Sequence, residues 1–302
     1  MNKSSFLKFF FLFFISFYLV GCSIKQVAIN SLLNSSGDSI SAIYLSENDP
    51  ELVRESLPTN IKLIELLIQQ SPNNSGLLIS ACQVLTVYSY AFILKDAEFI
   101  LDEDFTKSRI LTQRGKKLLL RARQYAIDAI ETKHEDFFSN FSNNHQKYLL
   151  DLDKDDLDKI YWLVASWALL ISISQDDPKM LAELPKIGFL IDRGIKIDEN
   201  YESGSFYDAK FIYEVARPDI SDEIAIQSYD KAIELANGSR ASLYLSYAES
   251  ISIKNQNKTE FLKLINQVLT YDIEKYPNQR LSNILAQERA QWLKSRMDLL
   301  FF

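Results

Sequence analysis

The sequence predicts an all-α protein, an α-solenoid of degenerate tetratricopeptide-like helical hairpins. Three observations predict it. Only 8 glycines and 7 prolines occur in 302 residues, too few for the many tight turns of a sandwich or barrel. The stretch Ile224 to Leu235 sets Ala225, Tyr229 and Ala232 on one helical face, at spacings of four and three. Asn237-Gly238 follows, two residues that tolerate the left-handed conformation ending many helices. A small residue, an aromatic, a small residue and a stop is the pattern of the second helix of such a hairpin. The same spacing recurs in weaker form at Asn60-Ile64-Leu67, Ala122-Ala126-Ala129, Ile187-Ile191-Gly194 and Phe261-Ile265-Val268. The last two intervals, about 38 and 36 residues, approach one hairpin each, and the earlier two approach a pair. Each hairpin would bury its apolar face against its neighbours.

The first 21 residues are a different material. Lys3 and Lys8 open the chain, and Phe9 to Val20 is an apolar run interrupted only by Ser16. Charge, apolar core and a small residue before a cleavage point make a secretory signal peptide, and the run is short for a spanning helix. Leu19-Val20-Gly21-Cys22 resembles the lipobox of bacterial lipoproteins. That resemblance implies cleavage before Cys22, a diacylglyceryl group on its sulfur and an acylated amino terminus. Acyl chains make the chain membrane-anchored. It would face the periplasm, and Ser23 resembles outer-membrane rather than inner-membrane sorting. Losing Lys3 and Lys8 takes the basic count from 33 to about 31 against 40 acidic residues, net about −9. That balance disfavours nucleic acid as a partner. Cys82 is the one thiol left beside a lipidated Cys22, so packing rather than an internal disulfide must stabilise the fold.

Three regions follow: a signal peptide over 1–21, a lipidated amino terminus and tether over 22–47, and one helical-repeat domain over 48–302. Asn48-Asp49-Pro50-Glu51 reads as a helix start, with a cap, a first-turn proline and an acid. Pro58 kinks or restarts this helix, Ile61, Ile64, Leu67 and Ile68 form its buried stripe, and Pro72 stops it. Ser75 to Leu94 carries no charge. Its serines, Gln83, Thr86 and tyrosines favour a helix buried among others over one crossing a membrane. Asp104 to Lys133 predicts an amphipathic helix whose basic middle (Arg114, Lys116, Lys117, Arg121, Arg123) is a solvated face. His134 to Asp153, rich in Asn and Asp, reads as a loop. Asp155 to Ser174 is a second apolar helix, with Trp162 and Trp167. Pro178 opens the next helix and Pro185 bends it. Asn200 to Gly204 is a turn before a short helix to Val215. After the opening motif, helices are predicted over Arg240 to Ile253, Thr259 to Tyr271 and Asn278 to Leu300.

The sequence offers little for a reaction. His134 and His145 have no ligand partner at helical spacing, and a loop histidine of this kind is commonly solvated. No glycine-rich phosphate cradle, HExxH or GxSxG occurs. The run Asp151 to Asp158 has carboxylates suited to calcium but lacks the central Gly and final Glu of an EF-hand loop; capping of the following helix is the plainer reading. Acidic pairs abound, but none lies in a recognisable apolar cleft. No catalytic residue, cofactor or metal site is expected. The suggestive residues are aromatic: Tyr88, Tyr90, Phe92, Trp162, Trp167, Tyr207 and Tyr244, on or near the most apolar helices. Such residues usually build core. Their other use is to line an apolar groove or channel for a ligand or a partner segment.

Several blocks complete the reading. These are Asn48 to Pro58, Gly76 to Ile93 with Ala81-Cys82 and Tyr90-Ala91-Phe92, and Leu120-Arg-Ala-Arg-Gln-Tyr125. Further along stand Tyr161-Trp162 with Ser166-Trp167, Asp176-Asp-Pro178, Arg240 to Tyr244 with Glu249, and Leu285 to Arg289 with Trp292-Leu293. In this order they closely resemble the T-component lipoproteins of TRAP transporters, over nearly all of the mature chain. The resemblance implies a non-enzymatic periplasmic lipoprotein, all-helical and homotrimeric. Its partner would be the solute-binding P-subunit, which delivers solute to a permease driven by an ion gradient. It also implies an apolar pore through each protomer that passes a hydrophobic ligand. Arg217 to Asp222 departs from the pattern, with Pro-Asp-Ile-Ser where many relatives have a longer loop with paired glycines. The alternative is a tetratricopeptide-like lipoprotein scaffold in envelope or outer-membrane assembly.

Overall fold

Asp49 starts the first long helix by the chemistry its position suggests. Its carboxylate accepts from the Glu51 and Leu52 amides at 3.0 and 3.1 Å, satisfying donors that have no partner within the helix. The computed structural model describes residues 43–302; the expected signal peptide, the lipidated Cys22 and nearly all of the tether lie outside them. No strand occurs among the described residues. The fold is all-helical.

Helix α1 spans Pro50–Gln70 and continues through Pro58 without a restart. Its buried stripe is Val53, Leu57, Ile61 and Ile64, with Leu67 and Ile68 half-buried. Asn74 caps α2, which runs Ser75–Phe99. This helix is long and apolar enough to cross a membrane, but 67% of its most apolar window is buried by protein. Core burial accounts for its composition. Asp104 caps α3, Phe105–Glu131, through the Lys107 amide at 2.9 Å. Ala122, Ala126 and Ala129 have no exposed surface, so α2 and α6 both pack directly on α3. Its basic middle is only partly a solvated face, because Arg123 turns inward over the Trp167 ring at 4.1 Å.

The stretch expected as a loop instead holds two short helices, α4 (Phe137–Asn143) and α5 (His145–Leu149). Phe137 and Phe141, one helical turn apart, stack at 5.4 Å and are 2% and 0% exposed. Burial of two rings outweighs the local preference of the asparagines for turns. Asp153 and Asp156 then form a capping box ahead of α6, Leu157–Ser172. Asp177 caps α7, Pro178–Leu181, and α8 starts afresh at Leu184–Ile197. Pro185 therefore lies in the first turn of α8, where its missing N–H costs nothing, rather than bending a longer helix.

Beyond them come α9 (Ser205–Val215), α10 (Asp222–Ala236), α11 (Ser242–Tyr247), α12 (Lys258–Leu269) and α13 (Arg280–Ser295). A final turn, α14 (Met297–Leu300), is separated from α13 at Arg296, where one continuous helix was expected. Asn237 and Gly238 end α10 with φ of 46° and 75°. Of the repeated triplets, the alanines of α3, the Ala225-Tyr229-Ala232 face and the Phe261-Ile265-Val268 face are all buried. Gly194 shows why a small residue closes the third one. A Cβ there would lie 2.4 Å from the Phe206 ring of α9.

The long helices pack in succession: α1 on α2, α2 on α3, α3 on α6, α6 on α8, and so on to α12 on α13. Helix α13 then returns to α1. Arg280 donates to the Ser46 carbonyl at 2.8 Å, and Leu281 joins the apolar cluster built on α1 to α8. Two further clusters centre on α9–α11 and on α11–α13.

Asp156 anchors the α3–α6 pair. It has no exposed surface and accepts from Lys159 at 2.8 Å, His134 Nε2 at 2.9 Å and the Asp153 amide at 3.1 Å. Burial opposes its charge, but these donors outweigh it and hold the carboxyl down to about 2. Its stabilising contribution is therefore full above the ordinary value of 3.8 and is lost as pH falls towards 2. Asp156→Ala strands the Lys159 ammonium and leaves the His134 ring and the Asp153 amide without their acceptor, and should cost about 3 kcal/mol. Urea unfolding at pH 7 measures that loss; at pH 2 the two chains should differ much less.

Candidate functional site

Two segments of the described chain widen from α-helical to π-helical geometry: Ser89–Leu94 within α2 and Ala248–Ser252 continuing α11. Such wide turns carry poorer hydrogen bonding and recur at functional sites. In α2 the widened turn buries Ser89, Ala91, Phe92 and Ile93, while Tyr90 between them is 56% exposed. Loss of hydration pushes the Tyr90 hydroxyl up, and the charges that act on it come from four helices: Arg289 of α13, Glu249 of the widened α11, Asp208 of α9 and Glu98 of α2.

Arg289 organises a charge cluster between three helices. Its guanidinium meets Glu98 through two hydrogen bonds, at 2.7 and 3.0 Å, and its Nε donates to Glu249 Oε1 at 2.8 Å. Burial disfavours the arginine charge, but the two carboxylates outweigh it and raise its pKa. Burial also raises Glu249, against the pull of Arg289. On α9, Asp208 is raised by burial and opposed by Arg240, whose Nη1 lies 3.4 Å from Oδ2. Arg240 is 9% exposed and also donates to the Ser203 carbonyl at 2.9 Å and Ser205 Oγ at 3.2 Å. Tyr161 of α6 lies within reach of Asp208 and Arg240, and burial raises its hydroxyl.

The aromatic residues singled out in the sequence do not gather at one place. Tyr88, Phe92 and Trp167 are buried in the core, each beneath an arginine: Arg114 at 5.6 Å, Arg54 at 5.0 Å and Arg123 at 4.1 Å. Trp167 Nε1 also donates to Glu183 at 3.0 Å. Trp162 is half-buried and meets Tyr161 edge-on at 5.4 Å. Tyr207 is half-buried beside Glu199. Tyr244 packs on the α11–α13 cluster, within electrostatic reach of Tyr229 and Tyr271. Tyr90 is the one that stands open. Arg240, Glu249 and Arg289 entered the sequence reading only within the blocks that carry the resemblance, with no site role, and Asp208 did not enter it. Their signal was charge inside otherwise apolar helices, as in Ala248-Glu249-Ser-Ile251.

Neither histidine is arranged for catalysis or metal. His134 is bonded to Asp156, and His145 stacks on Phe189 at 3.8 Å. Among the described residues, no three His, Cys, Asp or Glu side chains converge as a metal site. The departure noted at Arg217 is a short closed loop, with Arg217 paired to Asp219 and donating to the Tyr213 hydroxyl at 3.0 Å.

A family model described as "TRAP transporter T-component" matches residues 46–301, the span from just before α1 to the end of α14. The chain belongs to this family. It is also 23% identical over 301 residues to an uncharacterized protein of Treponema pallidum (strain Nichols), covering 93% of each chain. A T-component is an accessory part of a TRAP transporter. Membership in a transport system is consistent with association with the cell envelope.

Cys82 adds no reactive group to this T-component. It has no exposed surface, and burial pushes its thiol up to about 12. In a Cys22→Ser background, native protein at pH 8 should therefore leave an aqueous thiol reagent unconsumed. One equivalent should react once the chain is unfolded in denaturant.

Proposed function

We propose that this T-component is a non-enzymatic, periplasm-facing lipoprotein that docks the solute-binding P-subunit of a TRAP-type uptake system and passes an apolar ligand through its interior. The family match over residues 46–301 carries the reading. The open Tyr90 ring supports the ligand role, since it is the member of the aromatic set that offers a free apolar face; Tyr90 would touch the ligand, while Tyr88, Phe92 and Trp167 stay in the core. Packing of each long helix on the next supports a solenoid of degenerate tetratricopeptide-like hairpins, here closed by α13 on α1. We extend the reading to a homotrimer held at the outer membrane by acyl chains on Cys22, with residues 22–47 as the tether and 48–302 as the helical-repeat domain.

Mild crosslinking of the full chain in its own cells, followed by purification from detergent extract, should recover a periplasmic solute-binding protein or its permease. Recovery of neither removes the main support. Recovery of barrel-assembly or cell-wall proteins in their place favours a scaffold in envelope assembly. A Cys22→Ser chain should leave the membrane fraction for the soluble periplasm. Retention in the membrane fraction would show that something other than acylation holds it.

A further inference from the structure

Helix α3 carries charge that the rest of the chain leaves unanswered. The protein has 40 acidic residues against 33 basic ones, so carboxylates are in surplus. Even so, no Asp or Glu occurs from Phe105 to Ile127, while Lys107, Arg109, Arg114, Lys116 and Lys117 fall in its first half. Arg121 and Arg123, further along, find carboxylates on other helices at Glu65 and Glu183. The earlier cations form no ion pair among the described residues: Arg114 donates to the Tyr88 hydroxyl at 3.1 Å, and Arg109 lies over the Phe105 ring at 5.9 Å. Like charges three and four positions apart destabilise a helix, and Arg114–Lys117 and Lys117–Arg121 are such pairs. At the helix start, Asp102 pairs with Arg296 and Asp104 accepts from the Lys107 amide.

The cations lie to one side. Ser108, Gly115 and Leu119 are buried, and a Cβ on Gly115 would lie 2.6 Å from Leu94 of α2. On the opposite face Arg109, Gln113, Lys117 and Leu120 follow at spacings of four and three, all exposed. Phe105 and Ile110, 62% and 63% exposed, set apolar groups among the cations. The start of α1 packs on the same part of α2. Arg54 donates to Asp96 at 3.1 Å and lies over the Phe92 ring, while Arg114 and Gly115 of α3 meet Tyr88 and Leu94. The tether that leads into α1 therefore joins the fold beside the basic half of α3.

Unpaired cations with apolar side chains among them fit a partner that is anionic at its face and apolar beneath. A bilayer containing anionic lipids has that profile: its surface potential attracts basic side chains, and apolar ones reach the layer under the headgroups. We propose that the exposed face of α3 rests on anionic lipid headgroups, with Arg109, Lys116 and Lys117 at the phosphates and Phe105 and Ile110 reaching between them. The proposal rests on the anchoring through Cys22 proposed above and specifies which side of the domain meets the membrane. Exposed charges are screened beyond about 8 Å at cellular ionic strength, so a free chain is held weakly. Attachment through Cys22 keeps the face at high local concentration.

Sedimentation with vesicles tests this on the Cys22→Ser chain purified from the soluble periplasm, so the readout needs no acyl group. Vesicles of phosphatidylcholine alone are compared with a mixture of one part phosphatidylglycerol to two parts phosphatidylcholine. In about 25 mM salt the mixture should bind at least tenfold more tightly, and about 150 mM salt should remove most of that difference. Arg109→Gln, Lys116→Gln and Lys117→Gln together should weaken binding at least fivefold. Lys258→Gln, Lys263→Gln and Lys275→Gln remove the same charge from other exposed positions and should leave binding within twofold. Circular dichroism confirms both folds; if the α3 variant does not fold, the lipid and salt dependence of the parent chain decides. Equal binding to both vesicles, binding to neither, or equal losses in the two variants would overturn the proposal. Anchoring through Cys22 would still stand, because fractionation reads it separately. An α3 variant that keeps its vesicle binding but loses a crosslinked solute-binding protein would assign the face to a protein partner and overturn the proposal as well.

Discussion

Arg289 of α13, held between Glu98 of α2 and Glu249 of α11, is the contact on which the closed arrangement depends. It joins residues 191 positions apart across helices whose apolar sides belong to different clusters. Charge pairs taken out of water gain little unless geometry is good and every partner is hydrogen-bonded. Here the two-pronged contact to Glu98 and the third donor to Glu249 meet that condition. The seam extends from it: Phe99 stacks on Trp292 at 4.7 Å, Arg296 lies over Trp292 at 4.7 Å and pairs with Asp102, and Lys95 pairs with Glu288 at 2.6 Å. A string of helical hairpins has two ends that need covering. This chain covers each with the other.

A charged seam fixes the distance between helices as well as joining them. An apolar seam would favour collapse, because every additional contact buries more area. Ion pairs and stacked rings have optimal distances and are lost on closer approach. The two π-helical segments adjust the helices locally. Each adds a residue to one turn, and the side chains displaced from the regular pattern include Tyr90 and Glu249. Their poorer backbone bonding is offset by the burial of Phe92 and Ile93 on one side and Ile251 on the other.

Much of the fold was legible because its signals are local. Caps at Asp49, Asn74, Asp104 and Asp177, the stop at Asn237-Gly238 and the buried alanine face of α3 all follow from residues within one or two turns of each other. The failures were local preferences overruled from a distance. Asn-rich sequence around Phe137 and Phe141 reads as loop until the core that receives both rings is known. Pro185 reads as a bend, although the chain had already broken after Leu181. The charge cluster on Arg289 was illegible for a stronger reason. Its members come from three helices, and the widened turns that carry Tyr90 and Glu249 break the 3.6-residue period on which the reading relied. Aromatic content alone pointed to seven residues, of which one is open.

The tuning of the buried carboxylates bears on what they are for. Acid–base chemistry needs titratable groups whose surroundings push their pKa values apart. Asp208 and Glu249 are both raised by burial and both checked by an arginine, so their environments resemble each other. Nucleophiles fare no better, since the Cys82 thiol lies in the core and is pushed up to about 12. The strongest depression among the carboxylates, at Asp156, is spent on joining α3 to α6 and capping the turn between them. Asp208 and Glu249, tuned alike and each held by an arginine, therefore tie helices together and do not divide acid and base roles between them.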